Sequence, residues 1–189
     1  MTTTILIDHP YQKSFNHQIK ENLISHLITD KKDYQVIDLK ADRFNPVMTE
    51  NELAVYQAGK VLDPLIEKYM EILKDTQQLI IIFPVWWYAT PASLKGFLDK
   101  ILLNQFAFYD EGNGIQPLLK IDSAVVFSTS EQSTESLKER CNDSYRHQLI
   151  TTLKDVGVKK VAWHHLDLIG TISSEERQEF LNRAYKNLK

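Results

Sequence analysis

A single cysteine, Cys141, stands in the 189 residues, which excludes an internal disulfide framework or a cysteine-based zinc cage and fits a reducing compartment. Glycine is scarce, at six residues. No G-x-G-x-x-G follows the first candidate strand and no G-x-x-x-x-G-K-S/T occurs, so the Rossmann fingerprint and the P-loop are absent. Positive charge is not in excess: 22 Lys and Arg face 25 Asp and Glu, a formal net charge of −3. That balance argues against an electrostatic grip on nucleic acid or an anionic membrane. No apolar run is long enough to span a bilayer, and the start, MTTTILIDHPYQKSF, has no basic stretch ahead of a long apolar core, so no secretory leader is expected. Ser128, Ser130 and Ser133 lack a G-x-S-x-G elbow, which removes a serine hydrolase. His164 and His165, adjacent in a strand pattern, would face opposite sides, and no metal site is expected. At 43% hydrophobic and 25% charged, the composition is that of one globular domain over residues 1–189, expected to be cytoplasmic.

The most informative stretch is Gln78 to Leu103, QLIIIFPVWWYATPASLKGFLDKILL. Leu79 to Phe83 is apolar without alternation, the pattern of a central parallel strand buried on both faces. Pro84, with no N–H, is expected to cut the ladder. Thr90-Pro91 reads as a helix start, with Thr as cap and Pro in the first turn. Between them, Trp86, Trp87 and Tyr88 form a loop of three large aromatics. Such a loop suits a flat, partly apolar ligand, or else a core or dimer contact.

Around this stretch the chain alternates strands and helices. Thr3–Asp8 reads as a strand, followed by a helix from Phe15 to Ile28 with Ser14 as N-cap. Tyr34–Leu39 is a second strand. A helical pattern over Asn51–Leu62 is interrupted at Gly59, and Asp63-Pro64 opens a helix running to Lys74. After the helix at Pro91 comes a long connection, Gln105–Lys120, containing Gly112-Asn113-Gly114. Ile121–Ser128 is a fourth strand with a polar exit, Thr129–Thr134. One helix is expected over Glu135–Val156, ending at Gly157, then a fifth strand from Val158 toward Leu168. Ser173-Ser174-Glu175-Glu176 is a capping box opening a last helix to about Leu188.

Five strands alternating with helices imply an α/β three-layer sandwich: a five-stranded parallel sheet with helices on both faces, in the flavodoxin-like order 2-1-3-4-5. The exits of strands one, three and four would then converge. At the first exit, the helix start at Ser14-Phe15-Asn16 suits a phosphate, although Ser14 as a simple cap accounts for the same pattern. His9 either contacts that group or bonds to its own turn.

The segment FPVWWYATPASLKGFLDKIL resembles the signature of the flavodoxin-like NAD(P)H:quinone oxidoreductases, the DT-diaphorase group and its short bacterial members. The matching residues are Phe83, Pro84, Val85, Trp87, Tyr88, Pro91, Ala92, Leu94, Lys95, Gly96, Phe97, Asp99 and Lys100. His9 ahead of Ser14-Phe15-Asn16, and Asp38-Leu39 ahead of Phe44-Asn45-Pro46, are similar to further family segments. The resemblance implies that His9, Ser14, Phe15 and Asn16 hold the phosphate region of a flavin, FMN or alternatively FAD. Pro84, Val85, Trp86, Trp87 and Tyr88 would lie along its ring, with Ser128, Thr129, Ser130 and Glu131 on the fourth exit loop completing the site. It also implies hydride transfer from NAD(P)H through flavin N5 to a quinone or another electron-poor acceptor, and a homodimer that uses Trp86 and the rings of Phe106–Phe108. Short relatives also serve as regulatory subunits of potassium efflux systems, the alternative function for this chain. The sequence departs from the family at the fourth exit. A T-T-G-G-type turn is replaced by Ser128-Thr129-Ser130-Glu131-Gln132, which sets the Glu131 charge where a reduced, anionic flavin would be disfavoured. The Tyr and His that assist hydride transfer in larger members have no counterpart, since Tyr145 and His147 lie too far along their helix, and no catalytic residue is assigned.

Overall fold

The computed structural model describes residues 1–110, 112, 114–186 and 188; Asn113 of the glycine-flanked turn lies outside them. The strands are β1 (Thr3–Ile7), β2 (Tyr34–Asp38), β3 (Gln78–Pro84), a two-residue hairpin of β4 (Phe108–Tyr109) with β5 (Gln116–Pro117), β6 (Ser123–Thr129) and β7 (Lys160–Leu166). The helices are α1 (Phe15–Thr29), α2 (Glu50–Val55), α3 (Pro64–Lys74), α4 (Ala92–Ile101), α5 (Thr134–Cys141), α6 (Ser144–Asp155) and α7 (Ser174–Lys186). The main sheet is parallel throughout, in the order β2-β1-β3-β6-β7, which is 2-1-3-4-5 once the small hairpin is set aside.

Strand periodicity divides the core in two. Ile5, Ile7, Ile80, Ile82, Val125 and Phe127 face α1 and α7, where they meet Phe15, Ile19, Leu23, Phe180 and Ala184. Leu6, Ile81, Phe83, Ala124 and Val126 face the other way, onto Ile66, Tyr69, Leu94, Phe97 and Leu149 of α3, α4 and α6. Every residue of β3 is buried, the burial its unalternating run requires. No helix among the described residues is long and apolar enough to cross a membrane.

Four local expectations change. Pro84 does not end the ladder: it pairs with Thr129, and the Val85 N–H continues to the Thr129 carbonyl at 2.7 Å. Even-numbered β3 residues bond toward β1, as the Asp8 N–H to Ile82 carbonyl bond shows, so the missing N–H of Pro84 falls on the β1 side, at the end of that strand, and the pairing with β6 continues. Thr90 does not cap α4. The cap position is Pro91, without a side-chain bond, and the buried Asp8 carboxylate at the end of β1 serves this helix start instead, accepting from Ser93 Oγ at 2.9 Å and from the Leu94 amide. The expected helix over Asn51–Leu62 stops at Val55 and tightens into a 3-10 turn, Tyr56–Ala58, closed by Gly59 at φ 62°. The expected helix over Glu135–Val156 is two helices, because Asn142 and Asp143 are both left-handed, at φ 52° and 53°. Asn and Asp are the non-glycine residues that tolerate this conformation best.

The 44–63 excursion is stitched to α4. Lys100, 5% exposed, reaches Glu52 at 2.7 Å, the Asn45 carbonyl at 3.2 Å and Asp63 at 3.5 Å. Burial pushes the Glu52 carboxyl up, but bonds from Lys100 and Thr49 outweigh it and hold it below the ordinary range. Gly96 lets Pro46 approach: a Cβ there would sit 2.3 Å from the Pro46 carbonyl oxygen.

Candidate functional site at the carboxyl edge of the sheet

The first loop leaves β1 through Asp8 and His9 and enters α1 at Ser14. Ser14 is the N-cap, its Oγ accepting from the His17 N–H at 3.3 Å. The Phe15 and Asn16 N–H groups that precede it carry no hydrogen bond among the described residues, which leaves two donors at a positive helix end. Asn16 is 2% exposed; its Oδ1 accepts from Thr129 Oγ1 at 2.9 Å, while its buried Nδ2 has no partner among the described residues. His9 accepts the Tyr11 N–H on Nδ1, and His17 Nε2 bonds the His9 carbonyl. Burial, then the neighbouring His17, hold the His9 imidazole below its ordinary value, so it is neutral at physiological pH. The Phe15 ring packs into the α1–α7 core beside Phe180, so only its backbone reaches the site.

The second loop is a tight turn. Trp86 and Ala89 exchange both backbone bonds, at 3.0 and 3.1 Å, around Trp87 at φ 50° and Tyr88 at φ 63°. Two left-handed centres make this a type I′-like turn, a geometry that normally selects Asn-Gly and costs about 1–2 kcal/mol for each ordinary residue held in it. Trp87 is 92% exposed and Trp86 44%. Trp86 stands edge-on to His9 at 6.0 Å between ring centroids, so the first two loops touch.

The third loop follows β6. Thr129, Ser130, Glu131 and Gln132 all keep negative φ, so the side chains that stand in place of glycines add no left-handed strain. Ser130 is 5% exposed and turns its hydroxyl to the Gln132 carbonyl, at 2.6 Å, and to His165. Ser128 likewise faces Trp163 and His165 rather than the site. The Glu131 carboxylate is turned onto the Gly170 N–H at 3.2 Å. Ser130 exchanges backbone bonds with Leu166 and Ile169, and Asp167 accepts from both the N–H and the hydroxyl of Thr134 at the start of α5. The exit of β7 thus supports the exit of β6, a relation absent from the local sequence pattern. Tyr145, set aside on sequence spacing, packs under the same loop with its ring 5.8 Å from Trp163 and 6.5 Å from His165, whereas His147 is exposed.

Val85, Trp86, Trp87, Tyr88, Ser130 and Glu131 line one cavity of about 550 Å³, together with Gln132 and Leu137, two residues not singled out from the sequence. Behind it the Thr129–Asn16 bond leads to the α1 N-terminus. A separate concavity of about 490 Å³ between α4 and α6 shares none of these residues. A bond from Gln132, then the Arg140 charge, hold the Tyr88 phenol below its ordinary value. The result is an aromatic slot beside an anion-accepting helix start. A planar ring carrying a phosphate fits both halves: Asn16 Nδ2 is an orphaned buried donor, and the Trp87 and Tyr88 N–H groups carry no hydrogen bond among the described residues. Among the described residues no group of three or more His, Cys, Asp or Glu could hold a metal, and His164 and His165 face opposite sides of β7, toward Phe127 and Ser128.

Comparison with known proteins agrees with this architecture. The family model Flavodoxin_2, described as a flavodoxin-like fold, matches residues 1–188. An uncharacterized NAD(P)H oxidoreductase of Haemophilus influenzae is 28% identical over 189 residues, covering 97% of this chain and 92% of that protein. The uncharacterized NAD(P)H oxidoreductase YcaK of Escherichia coli is 32% identical over 103 residues, and that match spans only about half of each, 54% of this chain and 53% of YcaK. Among solved structures, the NAD(P)H:quinone oxidoreductase from Methanothermobacter marburgensis superposes with a TM-score of 0.87 at 26% identity, over 100% of this chain and 99% of that one.

Proposed function

The chain belongs to the Flavodoxin_2 family, and from that premise we propose that it is a flavin-dependent NAD(P)H oxidoreductase acting on quinones or similar electron-poor planar acceptors. The observation that carries the reading is the Thr129–Asn16 bond, which ties the residue just ahead of the cavity-lining Ser130 to a helix start whose Phe15 and Asn16 amides carry no hydrogen bond among the described residues. A bound flavin supplies hydride acceptance from a nicotinamide and hydride delivery to the acceptor. The chain's own residues bind and orient. The Phe15 and Asn16 amides with Asn16 Nδ2 take the phosphate, and the Trp87-Tyr88 turn offers two N–H donors and two ring faces to the flat system. Val85 and Leu137 exclude water from one wall. FMN is the simpler occupant, because one phosphate matches one helix N-terminus. The aromatic walls favour an electron-poor acceptor stacked in the same slot.

We assign the same site to a homodimer. Trp86, Tyr109, Ile115 and Leu118 remain exposed, while Phe106 and Phe108 are half-buried against the body of the protein. Exposed apolar groups of this size commonly mark an interface. Sedimentation of a monomer at micromolar concentration would count against the dimer.

The function is tested by loading the protein with FMN and following NADH and NADPH oxidation with a soluble naphthoquinone. Turnover that needs both FMN and the quinone is expected, and its absence with both nicotinamides overturns the reading. Asn16→Asp keeps the acceptor for Thr129 but sets a carboxylate against the phosphate, so FMN affinity should fall by about tenfold or more.

A further inference from the structure

His165 is unused by the proposed reaction, yet its ring sits at the centre of a hydrogen-bond chain whose two ends have fixed polarity. The Trp163 Nε1–H can only donate, and it donates to Ser128 Oγ at 2.9 Å. The Gln132 carbonyl can only accept, and it takes the Ser130 hydroxyl proton at 2.6 Å. With that proton committed, Ser130 Oγ, 3.0 Å from His165 Nε2, must accept, so Nε2 carries the hydrogen. The neutral ring then has its lone pair on Nδ1, which accepts the Ser128 hydroxyl at 2.8 Å. Every proton in the chain Trp163–Ser128–His165–Ser130–Gln132 is thereby placed, and one tautomer of one protonation state satisfies it.

This chain lies under the loop that lines the cavity. Ser130 and Gln132 are both lining residues, and Ser128 and Ser130 are 0% and 5% exposed. A second proton on His165 would turn Nδ1 into a donor. Ser128 Oγ would then receive hydrogens from both Trp163 and His165, and its own hydrogen would lose its acceptor in a buried place. We propose that His165 is a positioning residue for the cavity loop: as the neutral imidazole it clamps Ser128 and Ser130 so that the Ser130–Gln132 segment keeps its shape against a bound flavin, and proton uptake by the ring releases that segment and weakens flavin binding. The proposal rests on the flavin reading given above.

The charged surroundings leave the neutral form in place. Burial depresses the His165 basicity most. Asp167 beyond β7, Asp143 ahead of α6 and the Ser128 backbone oppose it, Arg146 on α6 adds to it, and the net direction is below the ordinary imidazole value. The Tyr145 phenol on α6, whose ring is 6.5 Å away, is pushed up to about 12 by burial and stays uncharged. The clamp is therefore intact at neutral pH and opens as pH falls below the ordinary histidine range.

The test compares the wild type with His165→Gln and His165→Phe, using FMN as the probe and the indole N–H resonance of Trp163 in the ligand-free, ¹⁵N-labelled protein as a second readout. A Gln amide presents one acceptor and one donor but does not titrate. The FMN phosphate itself gains a proton near pH 6, so the readout is the difference between wild type and His165→Gln. Expected are about tenfold weaker FMN binding in His165→Phe at pH 8, recovery to within about threefold in His165→Gln, and, as pH falls below the ordinary histidine value of about 6.5, a loss of affinity that exceeds that of His165→Gln by about tenfold. Wild-type affinity in His165→Phe, or the same pH profile in wild type and His165→Gln, overturns the proposal. If the wild type takes up no FMN at any pH, the flavin reading fails, and the indole signal still decides on the clamp. A resonance that moves with pH in the wild type and stays in place in His165→Gln supports the clamp; one that moves in neither refutes it.

Discussion

Replacing Trp87 with Asn should make the protein more stable and a poorer flavin binder at once. Trp87 occupies a left-handed position at φ 50° in a tight turn closed by two Trp86–Ala89 bonds. An ordinary residue loses about 1–2 kcal/mol there, whereas Asn accepts the conformation and is the residue this turn type selects. Little opposes the gain, because the indole is 92% exposed and gives up almost no buried area. A net stabilisation of about 1 kcal/mol follows, which in a domain of this size raises the melting temperature by about 2–4 °C. The ring is nevertheless placed to stack on a flat ligand, a contact of about 0.5–1.5 kcal/mol, so FMN affinity should drop by about two- to tenfold. Differential scanning calorimetry on the flavin-free protein and FMN fluorescence quenching measure the two effects separately. A melting temperature several degrees lower would mean that the indole supports the fold. Unchanged affinity would mean that its face is not part of the site. Either result refutes the argument that strain at this turn is retained for binding.

Three further outcomes concern the scaffold. Gly96→Ala adds about 1 kcal/mol of helix propensity, yet its Cβ would stand 2.3 Å from the Pro46 carbonyl oxygen, so urea unfolding should show a net loss of about 1 kcal/mol or more. Lys100→Met strands Glu52 and Asp63 beside α4 and should cost about 3 kcal/mol, a fall of roughly 6–12 °C in melting temperature, with a smaller loss when Glu52→Gln is added. Asp8 is buried with Oδ2 unpartnered among the described residues, and burial holds its carboxyl above the usual range against Ser93, the Leu94 amide and Lys40. A raised carboxyl makes the folded state bind protons more tightly than the unfolded chain, so the stability difference grows with pH. Asp8→Asn should be the more stable form at pH 8, by an amount that shrinks to nothing as pH falls toward the ordinary aspartate value of about 3.8 in thermal melts.

Features written in local spacing were readable before any coordinates. The unalternating run at Leu79–Phe83 announced a central strand, Ser14 its cap, Ser173 and Glu176 their reciprocal box, and Gly157 a helix end at φ 109°. The convergence of three strand exits followed from topology alone, and the Asn16–Thr129 bond and the His9–Trp86 contact realise it. What escaped depends on partners far along the chain. Asp8, not Thr90, serves the start of α4 across 85 residues. The α5–α6 break rests on two left-handed residues, Asn142 and Asp143, inside an otherwise helical pattern. From sequence Ser130 and Glu131 are side chains set in place of glycines, and both line the cavity, but that the Ser130 hydroxyl turns to His165 and the Glu131 carboxylate to Gly170 depends on contacts that only the pairing of β6 with β7 creates.

The visible absorption of the purified protein, recorded before and after anaerobic addition of NADPH and then NADH, tests the whole reading most directly. A yellow protein with oxidised-flavin bands that bleach on addition of either nicotinamide is the predicted result, since it requires a filled site and hydride uptake together. A colourless protein that also refuses added FMN and FAD would contradict the flavin assignment, and the Trp86–Tyr88 loop would then have to hold another ligand.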